Sequence, residues 1–199
     1  MELNRELEKL LKKVEKPARY IGEEINSIKK ANPDVRFGFA FPDTYEIGMS
    51  YLGLQLLYNI LNKEEHIACE RVFSPAPDME ALMRQADMPL FTLETKTPLN
   101  ELDILGFTLQ YEMSYTNILN ILNLGKIPML CADRGENDPL IVAGGPCAYN
   151  PEPLADFIDF FSLGEGEDVT VEILQLYDRA KAEGWSKDAF LHEVAKIPG

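Results

Sequence analysis

The sequence predicts an α/β domain: an open parallel sheet of about five strands with helices on both faces. Three observations carry this. Short apolar runs alternate with longer segments of helical spacing along most of the chain, the pattern of strand–helix–strand units. The runs Leu140 to Ala143 and Phe160 to Leu163 are too short for helices and are bounded by turn residues, as fully buried strands of a parallel sheet are. Both runs end in glycines, Gly144-Gly145 and Gly164-Glu165-Gly166. Two consecutive strands with glycine at their carboxyl ends mark one edge of one sheet, and open α/β sheets bind ligands in the crevice at that edge.

The elements follow in order. Residues 2–14, ELNRELEKLLKKV, set Leu3, Leu7, Leu10, Leu11 and Val14 at helical spacing with Glu/Lys pairs on the wet face, and Pro17 ends the helix. From Ala18 to Ala31, Tyr20, Ile21, Ile25 and Ile28 fit a helix or a short hairpin. Residues 1–31 thus read as an N-terminal helical appendage and 32–199 as the α/β domain. Val35 to Phe41 is the first strand, with Arg36 its one charge and Pro42 its stop. Ser50 to Leu61 is an apolar-rich helix, Ile67 to Phe73 the second strand, and Asp78 to Ala86 a short helix. Leu90 to Leu93 fits a short strand or an edge element, and Asp103 to Leu109 is the third strand. Tyr115 to Leu124 is helical, stopped by Gly125 and Pro128. After the two glycine-ended strands come a helix over Asp168 to Glu183, whose acidic first turn suits the dipole, and a last short helix over Lys187 to Lys196. With right-handed crossovers, five such strands point to the flavodoxin-like order.

Bulk properties narrow the function classes. No apolar run approaches the roughly 20 residues that span a bilayer, and Met1 to Lys16 is charged rather than signal-like, so no membrane role is expected. Cys69, Cys131 and Cys147 are widely spaced, which disfavours a disulfide framework, makes the cytoplasm the expected compartment, and leaves no C-x-x-C pattern for zinc or an iron–sulfur cluster. The net charge is −14. Residues 1–30 carry eight Lys/Arg against six Glu, while the remainder carries eleven against twenty-seven acidic residues. An acidic body repels phosphates, so direct nucleic-acid binding is not expected. The end at Ile197-Pro198-Gly199 reads as the front part of something longer.

Four motifs bear on chemistry. The loop Asp43-Thr44-Tyr45-Glu46-Ile47-Gly48 follows the first strand and is either a plain turn, with Asp43 capping and Gly48 at positive φ, or a ligand loop. Gly164-Glu165-Gly166-Glu167-Asp168 has a phosphate-loop outline, but its carboxylates would repel the phosphate; a tight turn with an acidic helix start is the other reading. Residues 110–117 offer Ser114 or Thr116 as a helix cap, or Gln110, Tyr111 and Glu112 as ligand contacts. Cys147 has no histidine near it in sequence, and a Cys–His catalytic pair is not expected.

The first loop resembles the D-x-H-x-x-G loop of cobalamin-binding domains, with Tyr45 in place of the histidine. Thr108 falls where that family has a serine lining the nucleotide-tail pocket, and Gly144-Gly145 matches its double glycine. The wider stretches PARYIGEEINSI, FPDTYEIGMSYLGLQLLYNILN, ERVFSPAPDMEALM, GFTLQYEMSYTNILN and AGGPCAYNPEPLADFIDFFSLGEGED resemble an uncharacterised family whose cobalamin-binding-like domain precedes a radical S-adenosylmethionine (SAM) domain. The resemblance implies a [4Fe–4S] cluster and SAM in that downstream domain, which would be this chain's partner. It implies a corrinoid pocket lined by Asp43, Tyr45, Gly48, Thr108, Gly144 and Gly145. A phenol of pKa about 10 beside Asp43 is a poor ligand to cobalt. The expected function is therefore an accessory, degenerate cobalamin-binding-like module for docking or substrate recognition; the alternative is a functional corrinoid-binding domain with no protein ligand to cobalt.

Overall fold

The computed structural model describes residues 2–199. In chain order the elements are α1 (Glu2–Leu11), β1 (Val35–Phe41), α2 (Tyr45–Ser50), α3 (Leu52–Leu61), β2 (Ile67–Phe73), α4 (Pro77–Gln85), β3 (Ile104–Thr108), α5 (Tyr115–Leu124), β4 (Leu140–Gly144), β5 (Phe160–Ser162), α6 (Gly166–Glu183) and α7 (Lys187–Val194). The sheet has the order β2-β1-β3-β4-β5 with every neighbouring pair parallel. This is the flavodoxin-like arrangement, and it brings the carboxyl ends of all five strands to one rim.

Side-chain alternation along each strand divides the core. On one face Phe37, Phe39, Ile104, Leu140 and Val142 pack with Leu54, Tyr58 and Leu61 of α3, Ile173 and Leu174 of α6 and Phe190 of α7. On the other, Ala40, Val72, Leu105, Phe107, Ile141 and Ala143 pack with Leu7 and Leu10 of α1, Met79 and Met83 of α4, and Ile118 and Ile121 of α5. Each large apolar side chain so buried contributes roughly 1.5–3 kcal/mol. The N-terminal segment therefore adds to the core: Leu7, Leu10, Val14 and Tyr20 lie in the second of these clusters.

Three local readings need correction. The helix expected over 50–61 begins at Leu52, because Tyr51 is extended (φ −81°, ψ 115°), and the loop expected before it holds a further short helix, α2. Residues 18–31 form neither a helix nor a hairpin: a 3-10 turn over Pro17–Tyr20 leads into an irregular segment laid on the sheet edge. Pro17 opens that turn rather than ending α1, which stops at Leu11.

The edge strand β2 is wholly buried, and the sequence between α4 and β3 explains how. Leu93 donates its backbone N–H to the Arg71 carbonyl at 2.7 Å, and the Glu94 carboxylate accepts the Arg71 N–H at 2.7 Å. A main-chain donor and a side-chain acceptor thus take the place of a sixth strand. The Leu90–Leu93 segment is an edge cover; its one β contact is the bridge of Phe91 to Pro98. Unpaired edges invite association, and covering them is a common remedy. Among the described residues no helix is long and apolar enough to cross a membrane.

Candidate functional site

A cavity of about 500 Å³ lies between the sheet and the helices α3 and α6, reaching the carboxyl rim. Its floor is Phe37 and Phe39 of β1, Ile104 and Thr108 of β3, Val142 and Gly144 of β4, and Ser162 of β5. Its walls are Leu57 and Leu61 of α3 and Thr170, Ile173 and Leu174 of α6. Tyr51, Gln110, Tyr149, Glu165 and Glu167 stand around its mouth. The size is that of a small-molecule site, roughly 300–1,000 Å³, and the position is the crevice where open α/β sheets bind ligands.

The glycines around the cavity do different jobs. At Gly106 a Cβ would lie 2.4 Å from the Phe37 ring, at Gly53 2.7 Å from the Tyr51 ring, and at Gly166 3.3 Å from Leu57. These three make room for neighbours. At Gly144 the closest atom to a Cβ would be the Ser162 carbonyl oxygen at 3.4 Å. Gly144 leaves its space to the cavity. Gly145 is required by the backbone: its φ is +103°, and a Cβ would approach Leu109 main-chain atoms at 3.0 and 3.1 Å. That turn is pinned by Leu109 donating its N–H to the Gly144 carbonyl at 2.7 Å and by Cys147 donating to the Leu109 carbonyl at 3.1 Å.

The polar groups of the floor and mouth are uncharged except for the two glutamates. Thr108, at 8% exposure, accepts a hydrogen bond from Gln110 Nε2 at 2.6 Å, which leaves its own proton to donate. Of residues 110–112, Gln110 lines the cavity while Tyr111 turns to the neighbouring loop and donates to Asp43 Oδ2 at 2.5 Å. Ser114 stands at the N-cap of α5 without capping it; its hydroxyl donates to the Tyr111 carbonyl instead.

The six residues singled out from the sequence all sit on the rim, but they divide. Thr108, Gly144 and Gly145 line the large cavity. Asp43, Tyr45 and Gly48 do not. Asp43 accepts from the Thr44 N–H at 2.7 Å and from Tyr111. Gly48 lies within α2 with no positive φ; a Cβ there would fall 2.3 Å from the Phe73 ring, so its role is to admit that ring. Tyr45 stacks edge-on against Phe73 and donates its hydroxyl to Glu24 Oε1 at 2.8 Å. It borders a second, much smaller space of about 20 Å³ together with Arg71 and Ser74.

Behind Tyr45 lies a closed polar network. Arg71, fully buried, donates Nε to Glu94 at 2.6 Å and Nη2 to Glu24 at 3.2 Å and to Ser27 at 3.0 Å, with its guanidinium over the Tyr58 ring at 4.5 Å. Burial, then the hydrogen bond to Glu24 and the charge of that carboxylate, push the Tyr45 phenol up to about 12. Burial also raises Glu24, but a backbone N–H, Tyr45, Ser27 and Arg71 together hold it below its ordinary value. A neutral phenol already spent on a carboxylate does not serve as a metal ligand.

The other candidates do not assemble. Cys69 is buried in β2, Cys131 and Cys147 are only partly exposed, and among the described residues no group of three His, Cys, Asp or Glu side chains is placed to hold a metal ion. The cysteines of this chain therefore do not fit an iron–sulfur cluster. His66 pairs with Asp34 at 2.7 Å and His192 lies in α7, neither beside Cys147. The sequence reading missed the walls Leu57, Thr170, Ile173 and Leu174 and the floor residues Phe37 and Ser162. Only their helical or strand periodicity was visible, and that is shared by every core residue.

The sequence profile described as "Radical SAM proteins, N-terminal" matches residues 53–199. The chain belongs to this family. The matched stretch holds Thr108, Gly144, Gly145 and both walls of the cavity, and begins after the Asp43–Gly48 loop. The chain is also 29% identical over 139 residues to the uncharacterized protein MJ0966 of Methanocaldococcus jannaschii, a match covering 67% of this chain and 25% of that protein. It thus spans about a quarter of that relative's length.

Proposed function

We propose that this radical SAM N-terminal domain is an accessory, non-catalytic module that recognises a small molecule in the cavity between β1, β3, β4, β5 and the helices α3 and α6. The observation that carries this reading is the open volume of about 500 Å³ reaching the carboxyl rim, which Gly144 lines. The radical SAM portion of the polypeptide, with its [4Fe–4S] cluster and SAM, would be the partner that acts on the bound molecule.

The test is binding of the neutral fluorophore N-phenyl-1-naphthylamine, whose emission rises in apolar cavities. The intact chain should enhance it, and Gly144→Val, whose methyls would enter the cavity, should reduce the enhancement at least about fivefold at unchanged fold. Equal enhancement by both proteins would remove the reading.

A second reading is corrinoid binding. It is favoured by the convergence of Thr108, Gly144 and Gly145 on one cavity, where the nucleotide tail of the corrinoid would lie. In that case Tyr45 supplies no bond to cobalt. Titration with hydroxocobalamin, followed by absorbance and gel filtration, separates the two: retention of the chromophore favours the corrinoid, and its absence leaves substrate recognition.

A further inference from the structure

We infer that the cavity selects uncharged or cationic molecules and turns away carboxylated and phosphorylated ones. This rests on reading the cavity as a ligand site. Among the described residues no Lys, Arg or His lines it, whereas Glu165 and Glu167 stand at its mouth. Neither carboxylate takes part in an ion pair among the described residues. The mouth also receives the amino end of α6, whose partial charge of about +0.5 would by itself attract an anion. Glu165 at the N-cap and Glu167 and Asp168 in the first turn more than cancel it.

The uncharged polar side chains along the cavity are the Thr108 hydroxyl, the Gln110 amide and the Ser162 and Thr170 hydroxyls, with the Tyr51 and Tyr149 hydroxyls at the mouth. They can orient a neutral heteroatom but cannot neutralise an anion, so an acid entering the cavity would lose its water without gaining a cation. An ammonium group at the mouth would instead face two carboxylates. The ligand class is therefore a molecule with an apolar body, a few hydrogen-bonding atoms, and either no charge or a positive end left at the rim.

The test uses three probes sharing one body: 2-naphthylmethanol, 2-naphthylmethylamine and 2-naphthoate, each displacing N-phenyl-1-naphthylamine from the intact chain at pH 7 and low salt. The amine and the alcohol should compete, with the acid weaker than the amine by about tenfold or more, a gap that narrows as salt screens the mouth. The variant carrying Glu165→Gln and Glu167→Gln should close most of the gap without altering the alcohol. If all three compete alike, the cavity reading stands and the charge selection is overturned. If none competes, the cavity reading falls and the selection with it.

Discussion

Two stretches of the same rim make the instructive comparison. The loop after β1, Asp43 to Gly48, and the junctions after β3, β4 and β5 share one rim, and all but the junction after β3 contain glycine. Yet the first borders a space of only about 20 Å³ and the second a cavity of about 500 Å³. The difference lies in what each glycine's missing Cβ is used for. At Gly48 the space is taken by Phe73, and the hydroxyl of nearby Tyr45 is tied into the Glu24–Arg71 network. At Gly144 a Cβ would meet only the Ser162 backbone and Cβ at 3.4 and 3.8 Å, ordinary contacts that leave room for it. A rim glycine leaves room for a ligand only when no neighbour has claimed it.

The comparison can be broken most severely at Arg71. Arg71→Met should strand the buried Glu94 carboxylate and weaken Glu24, costing about 3–5 kcal/mol in urea unfolding, the range for removing one partner of a buried ion pair. A loss under about 1 kcal/mol would mean the closed loop is not held by this network. Next come the two glycines with claimed space. Gly48→Ala forces a methyl into the Phe73 ring and should cost about 1–3 kcal/mol as overpacking. Gly145→Ala should cost a similar amount, about 1–3 kcal/mol, from its positive φ and the Leu109 backbone. Urea denaturation checks both.

A smaller effect is expected from pH. Three carboxylates bind the N-terminal segment: Glu24 through Arg71 and Tyr45, Glu46 through Arg19, and Asp78 through the Glu15 N–H at 2.8 Å. All three are held below their ordinary values. For Glu46 the hydrogen bond from Arg19 is the main cause, for Asp78 the Glu15 N–H, and for Glu24 hydrogen bonds and Arg71 outweigh burial. Depressed carboxylates stabilise the folded form above their unfolded values of about 4, and that contribution is lost as pH falls through the lower folded values. Relative to the intrinsic exchange rate at each pH, protection of the Glu15 and Ile28 amides should therefore fall on acidification below about pH 4 before that of the sheet amides does. A simultaneous loss of protection throughout would contradict the electrostatic attachment. The smallest effect on stability belongs to Gly144→Ala, within about 0.5 kcal/mol of the parent, since its methyl has room and the backbone is ordinary strand.

Much of the fold was legible. The bounds of β1, β2 and α5 coincide with the apolar periodicity, and the alternation of strands and helices fixed the layer order. What was not legible depends on contacts remote in sequence. The irregular 21–31 segment is held by Arg71 and Tyr58 partners forty-odd and thirty residues away, which no local periodicity reports. The break at Tyr51 was hidden because SYLGLQLLYNIL keeps helical spacing through it. Of the six residues that the family resemblance singled out, three line the cavity. The other three are engaged elsewhere, Gly48 against Phe73, Tyr45 with Glu24 and Asp43 with Tyr111, contacts that no local pattern reports.

The most direct measurement is amide chemical-shift mapping of the 15N-labelled chain on addition of 2-naphthylmethylamine. If the cavity is the site, shifts should concentrate at Gly53, Thr108, Gly144, Ser162 and Gly166, while Thr44 to Gly48 stay unmoved. Shifts centred on Thr44 to Gly48, with the cavity amides silent, would contradict the account.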